Sequence, residues 1–403
     1  MIRPGHMVIL CALALLAIGV VMVNSASMHV AKIEIREDSA TRGIAANGVT
    51  FKSILMSPAT MHMVLALGAL TCAALLPIGA VAGVIEDFGR LKRPAILTAL
   101  GAGVLLVILS TVYWPGIARP RNGSHRWINL GPLDSFQPSE VAKWALVWLV
   151  AAYCVWVGRE RLRTFWFGFL PIIACVGAVS ALVVKEDLGT GALMAMAAGL
   201  MLLAAGARWR HFALFLGVGI AGVAAAIVQN PYRIDRIVAF LDPYADPQGT
   251  GFHMIQSLAT VSGGGLTGRG LGHGLQKFGY LPEDQTDFLF AVICEELGIG
   301  GAALILGLYA VLAWTIVGIL SREPNALLRL GGFGVLATLL IQATINLLVV
   351  TGLGPTKGIA LPLLSAGGTG WVLTAGCLGL LVAMDRRHAR TMPDNDLAEP
   401  VPL

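Results

Sequence analysis

The sequence predicts an all-α integral membrane protein, with about ten transmembrane helices and a large extracytoplasmic loop after the seventh. Three observations predict it. The 403 residues are 56% hydrophobic and only 13% charged, with a mean hydropathy of +0.77. Apolar runs close to the roughly 20 residues needed to cross a hydrocarbon core recur along the chain. The loops between them alternate between basic and mixed, which gives the chain two sides.

The first span, roughly 7–26, has only Arg3 ahead of it and no small-residue cleavage site, so it reads as an uncleaved helix and not as a signal peptide. A longer segment follows, about 27–57, in which the alternation of "HVAKIEIRED" suggests a short strand. Further spans are expected at roughly 61–84, 94–114, 139–157, 165–184, 190–207, 211–229, 298–320, 327–350 and 366–384. Residues 1–385 thus form one polytopic domain, with an extracytoplasmic loop at about 230–286. The tail 386–403 is polar, Pro-rich and expected to be a cytoplasmic disordered segment.

With the N-terminus inside, the inner loops carry Arg90, Lys92 and Arg93; Arg159, Arg161 and Arg163; Arg208 and Arg210; Arg322 and Arg329; and Arg386, Arg387 and Arg390. Lys and Arg are denser there than at the outer span ends. The basic balance of the chain therefore reflects membrane topology, and no nucleic-acid patch is seen. The six cysteines fall in apolar runs without metal-ligand spacing, which argues for small core residues and against a disulfide framework or a zinc site.

Polar information is concentrated in four outer segments, 122–143, 185–191, 230–287 and 351–370. In "QPSEVAK", Glu140 and Lys143 share a helix face and can neutralise each other; Lys143 could also meet an anion. Asp187 in "KEDLGTG" can cap the sixth span. "SGGGLTGRGLGHG" (262–274) is a candidate anion nest of bare backbone N–H groups, with Arg269 and Lys277 beside it, or simply a flexible loop. It lacks a P-loop or dinucleotide fingerprint. "YLPEDQTDFLFAVICEELG" (280–298) crowds Glu283, Asp284, Asp287, Glu295 and Glu296 around an apolar run. Intramembrane carboxylates are costly and need partners or a wet cavity, so a re-entrant segment lining a polar cavity is expected here. "GPTKGIALPLLSAGGTG" breaks the chain before the last span and adds Lys357, Ser365 and Thr369. Cations that hold a phosphate, with Arg121 or Arg126 as further members, beside a carboxylate base suit glycosyl transfer from a lipid diphosphate.

At these residues the chain resembles the shape, elongation, division and sporulation family, of the FtsW, RodA and SpoVE type. The matching pieces are "GVVMVNSAS", "NGSHRWINLG" with "FQPSEVAK", "DLGTG", the long run 240–298 and "GIALPLLSAGGTG". The resemblance implies polymerisation of lipid II into peptidoglycan strands at the outer face of the cytoplasmic membrane, with a class B penicillin-binding protein as transpeptidase partner. It implies that Asp287 is the catalytic general base, that Glu140 and Lys143 are the cavity pair and that Trp127 lies next to the site. Glu283, Glu295, Asp187, Lys277 and Ser365 also fall on motif positions. The chain departs from the family pattern in lacking a cation before the second span, and in Gln285, Ala366 and "KEDLGTG". Division, elongation and sporulation subtypes are not separated, with a slight lean to division. A lipid II flippase and a non-catalytic activator of a transpeptidase are the alternatives. A divalent cation, magnesium or manganese, is compatible with diphosphate chemistry, and nothing in the sequence fixes its ligands.

Overall fold

The computed structural model describes residues 3–27, 54–89, 94–121, 124–130, 133–228, 231–275, 281 and 283–391. The 27–57 strand and Lys277 lie wholly or largely outside them. Eight described helices are long and apolar enough to cross a membrane. They are α1 (Pro4–Ala26), α2 (Pro58–Leu75), α4 (Pro94–Ser110), α5 (Pro138–Val157), α6 (Leu170–Glu186), α11 (Leu289–Arg322), α12 (Ala326–Val350) and α13 (Gly368–Thr391). In α4 and α6 the apolar stretch extends into an adjoining helical turn. Between α6 and α11 lie α7 (Leu188–Ala204), apolar but shorter, and α8 (Trp209–Val228). These two occupy the remaining predicted spans.

Most starts are written in the sequence. α1, α2, α4 and α5 begin on proline, whose missing N–H is harmless in a first turn. Ser57, Asp187 and Asn325 cap α2, α7 and α12 by accepting backbone N–H groups.

The expected single span over 61–84 is instead two helices, α2 and α3 (Ile78–Gly89). Pro77 stands between them, and Leu76 is extended, with ψ 142°, as the residue before a proline prefers. α3 stays at the end of the bundle opposite the site, where Ile85 accepts the Trp156 indole N–H and Glu86 accepts from Asn325.

The expected all-α architecture holds for the membrane part, but one polar segment folds as strands. β1 (Ala118–Arg121), β2 (Ser124–Leu130) and β3 (Leu133–Phe136) form an antiparallel sheet in the order β1-β2-β3. The sheet sits over the start of α5. The predicted loop 230–286 carries α9 (Pro231–Leu241) and α10 (Phe252–Gly263).

α11 bends at Gly298, whose φ of 64° and ψ of −158° are non-helical. Only glycine adopts this readily, and a Cβ there would also lie 2.4 Å from the Gly268 nitrogen. The expected re-entrant segment is therefore a short entry helix, 289–297, joined at one residue to a span of 299–322, roughly 36 Å long.

Small residues let the helices close. A Cβ on Gly379 of α13 would lie 2.3 Å from the Leu70 carbonyl of α2, and Gly331 and Gly334 of α12 receive Trp148, Val147 and Met201. At the far end, buried Glu323 faces Arg387 at 3.6 Å and His388 at 3.8 Å, and Asp385 accepts from Gly5. Helix α13 runs on to Thr391, past the expected tail boundary at 386. Its basic last turn is fixed by Glu323 and by the Ala74 carbonyl, which accepts from Arg386; such cations also suit a helix C-terminus.

Candidate active site

The four polar segments meet at one end of the bundle. β2 and the start of α5 bring Arg126, Trp127, Glu140 and Lys143. The start of α7 brings Asp187. α9 and the turn before α11 bring Arg236, Glu283 and Asp287. The irregular segment 354–361 brings Lys357 and Gly358.

Asp287 is the focus. It lies in a run of turns whose backbone is folded around Glu283. The Glu283 carbonyl accepts from the N–H groups of Thr286, Asp287 and Phe288. Glu283 takes a φ of 56°, rare for a residue with a side chain. The Asp287 carboxylate is half-buried and lies against Gly358, close enough that a Cβ there would be 2.5 Å from Oδ2. Burial pushes its pKa up to about 7, helped by the neighbouring charges of Glu283 and Asp187 and opposed by Arg126 and Arg236. A carboxyl titrating near neutrality suits proton transfer better than an ordinary one.

The charges around it are held in place. Asp187 accepts from Gly189, Thr190 and Arg126, the last at 3.3 Å. Arg236 donates to the Thr356 carbonyl at 3.0 Å. Lys357 packs across the bare Cα of Gly189, where a Cβ would be 3.0 Å from its Cε. β2 serves two recesses, His125 and Arg126 lining one and Trp127 the other. Arg126 lines one of about 320 Å³ with Asp187 and the apolar Leu109 and Leu182. Trp127 lines another of about 400 Å³ with Glu140, Gln342 and Thr369.

Glu140 and Lys143 form the expected pair, with Nζ donating to both carboxylate oxygens at 2.9 and 2.8 Å. Lys143 is only 2% exposed, and its Nζ also donates to Gln342 Oε1 at 2.9 Å. Its charge is therefore already matched by protein; among the described residues the cations that act on Asp287 are Arg126, itself paired with Asp187, and Arg236, with Lys357 over Gly189 close by. Gln342 in turn donates to the Ala360 carbonyl, and Asn346, one turn on, donates to the carbonyls of Asp287 and Ile359.

The Gly-rich loop is a nest, and its anions are the protein's own. Gly272 N–H donates to Glu296 and Leu275 N–H to Glu295, both at 3.0 Å. Ser25 Oγ of α1 donates to Glu296. The N–H groups of Arg269 and Gly270 go to the carbonyls of Glu295 and Glu296, and the Arg269 side chain lies 3.5 Å from Glu295 Oε1 and donates to the Gly263 carbonyl. The predicted phosphate cradle is thus occupied by the buried carboxylates of Glu295 and Glu296, and the exposed Arg269 meets Glu295 at its edge. Buried charge has to be matched in this way. Ser365 Oγ accepts from Leu361 and its carbonyl accepts from Trp371, and the residue lines the recess of Trp127 and Glu140. Gln285 ties its loop to the same segment by accepting from Ala366.

Four residues near the acid escaped the sequence reading: Arg236, Gln342, Asn346 and His253. Gln342 and Asn346 were legible as polar side chains four apart in an apolar helix, which are costly without partners. His253 of "GFHMIQS" stacks on Phe288 at 6.2 Å; burial and Arg236 hold its pKa below the usual histidine value, against Glu283.

The fold and site define a class: a multi-pass membrane protein whose polar segments converge on one carboxylate at a bundle end. Residues 5–390 match the cell cycle protein family of the FtsW, RodA and SpoVE type. Stage V sporulation protein E of Bacillus subtilis is 38% identical over 325 residues, 75% of this chain and 88% of its own. A probable peptidoglycan glycosyltransferase FtsW of Thioalkalivibrio sulfidiphilus is 37% identical over 392 residues, 95% of this chain and 90% of its own. A solved peptidoglycan synthase complex that coordinates polymerization and crosslinking contains a similar chain, with TM-score 0.68 and 27% identity, covering 94% of this chain and 97% of that one. The rod shape determining protein RodA of Thermus thermophilus has TM-score 0.57 and 25% identity over 94% and 95% of the two chains. The chain belongs to the FtsW/RodA/SpoVE family.

Proposed function

We propose that this protein is a peptidoglycan glycosyltransferase that polymerises lipid II, with Asp287 as general base. The observation that carries the reading is the Asp287 carboxyl, raised to about 7 and ringed by Arg126, Arg236, Asp187 and Glu283. It takes the proton from the 4-hydroxyl of the acceptor sugar. That oxygen forms a bond to C1 of the donor sugar from the face opposite the leaving group. The C1–oxygen bond to undecaprenyl diphosphate breaks, and the configuration at C1 inverts. Arg126, Arg236 and Lys357 are the cations near enough to meet the charge of the diphosphate. Trp127 and the Glu140–Lys143 pair shape the neighbouring recess.

Among the described residues no three His, Cys, Asp or Glu side chains converge on one point; a magnesium or manganese ion would be held by one or two carboxylates together with oxygens of the diphosphate, whose charge it would neutralise. The same proposal has the active end facing the extracytoplasmic side of the cytoplasmic membrane. The short basic turns at Arg159–Arg163 and Arg208–Arg210, at the opposite end, support that orientation. A class B penicillin-binding protein is the proposed partner, which would crosslink the strands made here.

The test is purified protein with its partner and lipid II, with products resolved on gels. Glycan strands are expected from the wild type and none from Asp287→Asn at normal protein level and with a melting temperature no lower than that of the wild type. Strands of normal length from Asp287→Asn would remove the general-base assignment.

A further inference from the structure

We propose that Asn346 is a positioning residue for Asp287, clamping the main chain at Asp287 and at Ile359 into one arrangement. The proposal rests on the reading of Asp287 as general base.

Asn346 lies in α12 and is 1% exposed. Its Nδ2 donates to the Asp287 carbonyl and to the Ile359 carbonyl, both at 2.7 Å. Two carbonyl acceptors fix the amide orientation, because a flipped amide would set lone pairs against lone pairs. The oxygen of the same amide has no hydrogen-bond partner among the described residues, and the hydrogen bonds this side chain makes there are the two that hold these carbonyls together.

The two clamped points matter because of what adjoins them. Gly358, next to Ile359, is the wall on which the Asp287 carboxylate rests. Asn346 therefore fixes both the acid's backbone and the surface behind the acid. One turn earlier Gln342 holds the next carbonyl, Ala360, and receives Lys143. Segment 359–360 thus hangs from α12 by two consecutive carbonyls.

The charged and titratable groups facing Asp287 are Glu283 from its own loop, Asp187 from α7, Arg126 from β2 and Arg236 from α9. Lys357 lies over Gly189 beside Asp187, and His253 of α10 stacks on Phe288. Among the described residues, the side chain seen to hold the main chain of Asp287 is that of Asn346. Without the Asn346 clamp, the acid is free to move off Gly358 toward solvent, and its titration moves toward that of an ordinary carboxyl.

The experiment compares wild type, Asn346→Leu, Asn346→His and Gln342→Leu as full-length protein with its partner. It reads polymerisation against pH, and separately the carboxyl infrared band of Asp287 against pH, by difference from Asp287→Asn. Asn346→Leu is expected to lower kcat by at least about tenfold with KM little changed, and to move both the rise of activity with pH and the carboxyl titration to lower pH. Asn346→His keeps one N–H donor and should recover part of both. Gln342→Leu should slow the reaction without moving the titration. If the carboxyl titration of Asn346→Leu coincides with that of wild type, the proposal is overturned, whether or not activity is lost. Should Asn346→Leu fail to fold, Asn346→His is judged by the same titration. A wild type that makes no glycan would defeat the glycosyltransferase reading, while the infrared arm would still decide the clamp.

Discussion

Replacing Gly358 by alanine isolates the contact behind the acid. The backbone of Gly358 lies outside the left-handed region, so alanine meets no conformational barrier there. Its new Cβ would stand 2.5 Å from Asp287 Oδ2 and 3.3 Å from Cγ. Ordinary contact needs about 3.5 Å, so the carboxylate has to retreat by about 1 Å. It can do so by a side-chain rotation, which leaves the fold almost unharmed. A displacement of that size at a reacting group costs on the order of 10²-fold in rate, or about 2.7 kcal/mol of barrier. Lipid II polymerisation by Gly358→Ala should therefore fall about a hundredfold while the melting temperature moves by a few degrees at most. A variant that polymerises at the wild-type rate would refute the placement of the carboxylate against Gly358. A variant that loses activity only by unfolding would refute the view that the contact is a local one.

Asp287→Asn should be more stable than wild type at pH 8 and equal to it near pH 3. The carboxyl titrates near 7 in the folded protein and near 4 unfolded, so between these values the folded state binds the extra proton and stability falls as pH rises. The ceiling of the effect is about 4 kcal/mol, read by thermal unfolding in detergent at both pH values. Lys143→Met leaves Glu140 buried without its partner and should cost about 3–5 kcal/mol, much of it recovered in the Lys143→Met, Glu140→Gln double variant; equal melting temperatures for the single and double variants would sink this. Arg269→Met should leave KM for lipid II unchanged while lowering the melting temperature, because its side chain meets Glu295 and the Gly263 carbonyl.

The spans were legible because membrane crossing demands long apolar runs, and the helix starts were legible from proline and capping residues. The break at Leu76–Pro77 was not, since the apolar run passes through it and only the proline's missing N–H interrupts the helix. The strands of 118–136 lacked a clean alternation and sat among motif residues. Convergence of the polar segments on Asp287 followed from placing them on one side. Which cations stayed near the acid did not: Lys143 and Arg269 look alike as sequence, and only packing reveals that Glu140 with Gln342, and Glu295, have already taken them. The glycines of 263–274 read equally well as a cradle for a foreign phosphate or for the chain's own acids, and Glu295 and Glu296 decide between the two by occupying it.

Gly298 separates two mechanical tasks. Below it, residues 299–322 form a rod whose tilt can follow bilayer thickness. Above it, residues 289–297 are tied through Glu295 and Glu296 to the glycine loop and to Ser25. The reactive end is therefore held from both sides of the bend, by Glu295 and Glu296 above it and by Tyr309, which donates to the Pro362 carbonyl, below it.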